Sequence, residues 1–342
     1  MAYTTIDNPQ LFFQCKIYSG AGGSQAQTLD GSEDMDLSSG GMVWIKCRDQ
    51  AENHGIYDTV RGATELLVPH FTAAETTLST GLTAFGSDGF TVAGSGTTGY
   101  SGQTYVAWCW KESATSGFDI IEFTGNATAR NISHNLSAIP ELIIIKNHSS
   151  SSSYWTSYHK PVGNTGELYL NATDAAGGSV AAWNSTTPDS SNFRLGANTG
   201  VNGSGNTIIA YVFAPVKGFS RFGSYKGNSN SDGSFIFTGF SPSLLMVKCT
   251  SNSSTDWLIT DNKRSHNKNA NYNQWQLRVN TTAAEENGTV GVDFLSNGFK
   301  WRDSHNDANL TGRTYIYMAF AHAPFVNSNG VPCTATAGTG GR

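Results

Sequence analysis

A carboxylate and an arginine three positions later occur twice in this chain, as Asp58 with Arg61 and as Asp261 with Arg264. A guanidinium fork grips a carboxylate through two parallel hydrogen bonds, so such a pair can pin a loop to a sheet. Acid–base cleavage of a glycoside would need a second carboxylate facing the first across a cleft. Nothing in either stretch requires one, and both pairs read as structural ion pairs. Three Ser-His-Asn triplets, at Ser133-His134-Asn135, Ser265-His266-Asn267 and Ser304-His305-Asn306, bring hydrolase residue types together. A nucleophilic triad converges from separate parts of a chain, however, and adjacent side chains in a loop diverge. These triplets read as polar turns. Asp30, Glu33, Asp34 and Asp36 form the densest acidic group, but the distal glutamate of a calcium loop is missing. No metal is expected there, and the Asp303–Asp307 turn is a weaker candidate still. Among the eight tryptophans, Trp44 and Trp108 lie within apolar runs and read as core. Trp183 and Trp301 stand among polar residues and read as surface aromatics, available to stack on a sugar ring.

The elements that must position these residues come in three copies. An apolar run ends in lysine at Ile45-Lys46, Ile145-Lys146 and Val247-Lys248. An aromatic-x-Gly turn precedes each run: Tyr18-Ser19-Gly20, Phe123-Thr124-Gly125 and Tyr225-Lys226-Gly227. Further on come Phe90, Phe193 and Phe299, each after a Ser/Asn/Gly turn. Every copy closes with Gly-x-Thr and an apolar run, from Gly102, Gly205 and Gly312. In the second copy, Tyr158 and Pro161 stand where the Asp-x-x-Arg element is expected, and Gly177 where Glu75 is. A unit of about a hundred residues is the size of a small domain and far longer than a solenoid repeat. The spacing therefore predicts β-sandwich repeats over 1–112, 113–216 and 217–326, followed by a flexible tail or arm over 327–342. The short junctions predict repeats that touch.

Composition fixes the class. Charged residues are 14% of the chain and aromatics 11%, with 38 glycines. Short β-branched and aromatic runs bounded by Gly, Ser or Pro read as packed strands, and no segment holds a 3.6-residue period over four turns. The prediction is an all-β chain of three tandem antiparallel β-sandwich domains of jelly-roll or concanavalin-like type. A net charge of −5 without basic clusters disfavours nucleic acid. No run reaches the length of a membrane span, and the first residues lack the basic-then-apolar order of a secretory signal. Five cysteines make no disulfide framework. Free thiols in a reducing cytoplasm are expected. No cofactor or nucleotide motif occurs, and the chain reads as a non-enzyme.

The first copy resembles a known family. Met1-Ala2-Tyr3-Thr4-Thr5-Ile6-Asp7-Asn8-Pro9, Val43-Trp44-Ile45-Lys46-Cys47-Arg48-Asp49, Tyr57-Asp58-Thr59-Val60-Arg61-Gly62-Ala63 and Tyr105-Val106-Ala107-Trp108-Cys109-Trp110-Lys111 are similar to repeat-built virion proteins of marine tailed bacteriophages, including cyanophages. The other copies keep only the landmarks. The resemblance implies a structural role on the particle, commonly a tail fibre or appendage, with a concanavalin-like sandwich in each repeat. It carries over no catalytic residue and no ligand. It implies assembly in the host cytoplasm into the virion, beside other virion proteins. Symmetric homo-oligomers, trimers first, are expected of such a part, with a host-surface glycan or protein as the partner for attachment. The alternative it leaves is a capsid decoration or tail component that binds no receptor.

Overall fold

The computed structural model describes residues 4–178, 180–264 and 272–324. They are nearly all β: strand makes up 45% and helix 4%. The expected tail over 327–342 and the triplet at His266 lie outside the described residues.

Each copy builds one large antiparallel sheet with the same strand order. An opening strand pairs with the closing strand, which pairs with the lysine strand, which pairs with a third strand. In the first copy these are Phe13–Ser19, Thr104–Lys111, Gly41–Cys47 and Gly55–Asp58. In the second they are Phe118–Thr124, Thr207–Phe213, Leu142–Asn147 and Trp155–His159. In the third they are Ser220–Lys226, Thr314–Pro324, Phe240–Cys249 and Trp257–Asp261. Over the first sheet lies a smaller one of three strands, and over the second a pair, Arg130–Ser133 with Asn192–Leu195. The third sheet continues through Glu286–Leu295 and Gly298–Trp301 to eight strands and is nearly barrel-like.

The unbroken apolar runs follow from burial on both faces. In the first lysine strand, Met42 and Trp44 face a core shared by all three copies, whereas Val43, Ile45 and Cys47 face that copy's own cover. The second copy repeats this, with Leu142 and Ile144 facing the shared core and Ile143 and Ile145 the cover. Period-2 alternation is thus present, but both faces are apolar. Phe320 is a hub of the shared core: its ring lies 5.0 Å from Phe13, 5.8 Å from Trp110 and 6.0 Å from Phe213. Where the copies meet, a void of only about 10 Å³ remains among Met42, Trp110, Ile144, Phe213, Leu244 and Met318. The copies touch, as the short junctions predict, and go further by sharing one interior.

The repeated glycines have two distinct causes. Gly102, Gly205 and Gly312 adopt φ of 81°, 75° and 77°, a left-handed turn into the closing strand that a side chain resists. Gly20, Gly125 and Gly227 are fixed by close approach instead. A Cβ there would lie 2.3, 2.1 and 2.3 Å from a carbonyl oxygen of the loop before the closing strand. In the first and third copies the aromatic two residues earlier braces the same loop. Tyr18 stacks on Tyr105 and donates to the Thr98 carbonyl, and Tyr225 stacks on Tyr315 and donates to that of Ala308. The stretches near 72–75, 173–176 and 282–285 form no helix. The helical turns of the described residues are Pro9–Leu11, Val180–Trp183 and Thr199–Asn202.

Gly125→Ala and Gly205→Ala separate the two causes. The first should cost about 3 kcal/mol or more, because backbone must move. The second should cost about 1–2 kcal/mol of left-handed strain. Thermal melts of the two variants check the order, and equal losses would refute the close-approach account.

Candidate functional site

Strand register aligns the copies residue by residue, and shows that their contacts run in a circle. Lys46, Lys146 and Lys248 are all fully buried at the ends of their strands. The Lys146 amine donates to Thr72 O (2.8 Å) in the first copy and to Ser153 O (2.7 Å) in its own. The Lys248 amine donates to Thr173 O (3.1 Å) in the second copy and to Thr255 O (2.6 Å) in its own. Lys46 turns to its own loop at Cys47 O and Gln50 O. Burial lowers all three amines to about 8. Beside each amine the backbone closes the joint: Glu75 N donates to His148 O, Ala176 N to Thr250 O, and Glu285 N to Arg48 O. The first copy thus docks on the second, the second on the third, and the third on the first. A second set of bonds runs the same way round. Trp155 donates its indole N–H to Val68 O, Trp257 donates to Tyr169 O, and His54 Nε2 donates to Arg278 O at 3.1 Å.

The Asp-x-x-Arg pairs sit at two of these joints. Arg61 Nε lies 2.6 Å from Asp58 Oδ2, Arg61 Nη1 lies 2.8 Å from Glu75 Oε2, and the Tyr211 hydroxyl of the second copy donates to Asp58 at 2.7 Å. Arg264 repeats this with Asp261 (2.6 Å) and Glu285 (2.8 Å), and Trp108 Nε1 of the first copy donates to Asp261 at 2.9 Å. Burial works against the charge on Arg61, but Tyr211, Asp58 and Glu75 hold it protonated. The Arg264 cluster is enclosed and the Arg61 cluster leaves Glu75 partly exposed; in both, every acid is engaged by a cation.

Register places His159 and Val162, not Tyr158 and Pro161, at the corresponding positions of the second copy. Ala176, not Gly177, holds the place of Glu75. The sequence reading slipped by one residue because the polar turn offers no apolar period to align. Here His159 Nε2 donates to Tyr317 O (3.1 Å), and burial lowers the imidazole to about 4.

Trp183 and Trp301 are a correction. They are 1% and 2% exposed. Trp183 packs edge-on against Tyr158, and Trp301 lies edge-on to Phe299. Lys300 and Arg302, which made the segment look superficial, point the other way along the strand and pair with Asp232. Asp30 pairs with Lys16, Asp36 caps Ser38, and among the described residues no group of three His, Cys, Asp or Glu converges on a point. His134 accepts from Leu136 N and donates to Asp189 O on a second loop, and His305 accepts from Asp307 N within its own. The four cysteines of the described residues are free and buried.

Among the described residues, recesses open on the surface in two places that bear on function. One is a cup of about 220 Å³ in the second copy, lined by Ser152, Ser153, Tyr154, Tyr169, Thr199 and Asn206 among others. No sequence motif marks it, since its walls come from three separate loops. The other is a groove of about 1000 Å³ between the second and third copies, with Lys160, Lys217, Arg221, Phe222 and Phe237 on its walls. Arg221 covers the Phe237 ring at 5.5 Å.

With the closed circle in view, the family match becomes informative. The chain belongs to the DUF7483 family, described as a domain of unknown function. The match spans residues 8–324, all three copies, so the DUF7483 unit is the whole circle and not one repeat. Comparison with curated proteins and with solved structures returned no match. No helix of the described residues is long and apolar enough to cross a membrane.

Replacing Arg264 by Leu leaves the Asp261 carboxylate buried without its cation and should cost about 3–5 kcal/mol. Adding Asp261→Asn and Glu285→Ala should return part of that loss, which chemical denaturation would measure. Acid should act through His159. An unfolded histidine titrates near 6.5, so the unfolded chain takes up the proton first. The stability held by the neutral ring is complete above about pH 6.5 and is lost as pH falls through about 4. His159→Gln should therefore be less stable than the native chain at pH 7, with the gap narrowing by pH 4. A gap that widens in acid would show the imidazole to be charged in the folded state.

Proposed function

We propose that the chain is a structural component of a bacteriophage particle, a tail-fibre or appendage part that contributes to host-surface attachment. In this reading each repeat is a jelly-roll or concanavalin-like sandwich, and the chain works without catalysis. The observation that carries it is the closed circle of contacts. The three copies spend their lysine-strand ends and inner sheet faces on one another, which leaves a rigid body whose free features are outward loops and surface recesses. Such a body suits presentation of binding loops better than turnover, and the carboxylates of the Asp-Arg-Glu clusters face arginine inside the joints instead of a solvent-filled cleft. Repeating a weakly binding part on several particle subunits raises avidity without new contacts.

An architectural reading, with the chain docked on another virion protein and no receptor, has its own observation. Phe235 and Phe237 are exposed large apolar residues beside the groove at Arg221. A homotrimer, in either reading, would have to meet through such outer surfaces, because the pseudo-threefold interior is already filled.

Electron cryo-microscopy of intact particles, with this chain traced in the map, is the test. The attachment reading expects the chain distal, with the loops around Tyr154 free. Finding it flat on the capsid, with Phe235 and Phe237 covered by another protein, would replace attachment with architecture.

A further inference from the structure

We propose that the cup in the second copy binds one neutral sugar ring. The inference deepens the attachment reading by giving it a site and a ligand class, and its argument begins with an aromatic pair. Tyr154 and Tyr169 lie with ring centroids 4.5 Å apart and planes tilted by 30°. Tyr154 is 48% exposed, so one face of its ring rests on Tyr169 and the other meets solvent. Tyr169 is fixed from two sides. Its hydroxyl donates to Glu167 at 2.7 Å, and its backbone carbonyl accepts the Trp257 indole N–H across the joint with the third copy. The platform is therefore preorganised, which removes an ordering cost that a flexible aromatic would add to binding.

The fold does not require this pair. Register puts Asp256 and Arg278 at the same two positions in the third copy, where they form an ion pair at 2.7 Å. In the first copy the positions hold Asn53 and Val68, and Asn53 instead bonds His70. One scaffold position thus takes an ion pair, a small polar–aliphatic pair and an aromatic stack in turn. Only the second copy turns it into an exposed aromatic face beside a recess.

The rest of the wall selects the ligand. Ser150, Ser152, Ser153, Thr156, Thr199 and Asn206 offer hydroxyls and a carboxamide, and no Lys, Arg, Asp or Glu lines the cup. A phosphate, carboxylate or ammonium ligand would find no counter-charge. A purely apolar ligand would strand hydroxyls without partners. A ring with hydroxyls on its rim and C–H groups on a face satisfies both kinds of surface. The volume of about 220 Å³ equals about seven waters at ~30 Å³ each and lies below the usual drug-sized range, so a single ring fits and an oligosaccharide must extend outside. The serine loop is held by Asn147, which bonds Thr199 O and accepts from Ser149, at the position that cysteine occupies in the other copies. Exchanging that cysteine for asparagine ties the serine tract to the 198–206 loop and so shapes the cup.

Saturation-transfer NMR on the purified full chain with glucose, galactose, mannose and N-acetylglucosamine tests the inference. At least one should bind with a dissociation constant on the order of millimolar, as expected of a single small ring. Tyr154→Ala should weaken that binding by about tenfold or more while the thermal melt is unchanged, since the ring is half exposed. Asn206→Ala, a second variant in the lining of the cup, should weaken it as well. No binding by any of the four sugars, or binding that survives both variants, overturns the proposal. Particle adsorption in the presence of the sugar separates this inference from the attachment reading. Sugar binding that Tyr154→Ala abolishes, with adsorption untouched by the sugar, keeps the cup and removes its role in attachment. Adsorption by particles whose purified chain binds none of the sugars removes the cup and leaves attachment standing.

Discussion

Three lysine amines inside an apolar body govern this structure. A buried ammonium is costly unless it is paired or saturated with hydrogen bonds. Lys146 and Lys248 meet that demand only by taking a carbonyl from the preceding copy, Thr72 O and Thr173 O, together with one from their own. A copy separated from its neighbour would leave the amine short of an acceptor and the donated carbonyl short of a donor. The repeat of about a hundred residues, large enough by size alone to fold, is therefore tied energetically to the next one. That the family match covers residues 8–324 as a single unit accords with this dependence.

The three joints share a plan and differ in chemistry, and the differences are matched across each joint. Where the closing strand offers a donor, as Tyr211 and Trp108 do, the facing position is a carboxylate, Asp58 or Asp261. Met318 offers none, and there His159 supplies the donor itself, to Tyr317 O. Glu75 and Glu285 face His148 and Arg48, while Ala176 sits at the joint with Thr250. A carboxylate placed at the second joint would be buried without a cation, and an alanine at the first or third would leave an arginine underused. Each docking loop therefore fits one neighbour. The circle closes in one order, which a set of identical copies could not enforce.

What could be read from the sequence was what repeats locally. The lysine strands, the aromatic-x-Gly turns and the Gly-x-Thr entries carry their causes in a few adjacent residues, either a left-handed φ or a close backbone approach. Pairing partners across copies leave no such trace. Lys146 and Thr72 are 74 residues apart, and nothing local to either announces the other. Trp183 and Trp301 were misjudged because polar flanks were taken for a polar environment. On a strand the neighbours of a buried residue point outward by geometry, so Lys300 and Arg302 are what a buried Trp301 would have beside it. The cup escaped notice for a related reason. Tyr154 and Tyr169 belong to different strand ends, and their stacking exists only once the third strand has turned back to pair Thr156 with Tyr169.

The second copy also shows how a scaffold position becomes free to change. The Arg–carboxylate clusters at the other two joints occupy their docking loops, since each of the three guanidinium nitrogens of Arg264 is engaged, by Asp261, Glu285 and Ile259 O. The second docking loop, built on His159, Val162 and Ala176, has no arginine–carboxylate cluster and holds through apolar packing, backbone bonds and the bonds that His159 and Lys248 make to backbone carbonyls. Packing of this kind tolerates varied side chains nearby, because no buried charge depends on them. Tyr169 stands in that loop's approach: its carbonyl serves the joint while its ring serves the surface. The backbone thus carries the structural duty, and the side chain is left to recognition. The same separation appears at Asn147, whose strand position is architectural and whose carboxamide organises the serine tract. In this chain a binding surface arises where the joint no longer needs the side chains.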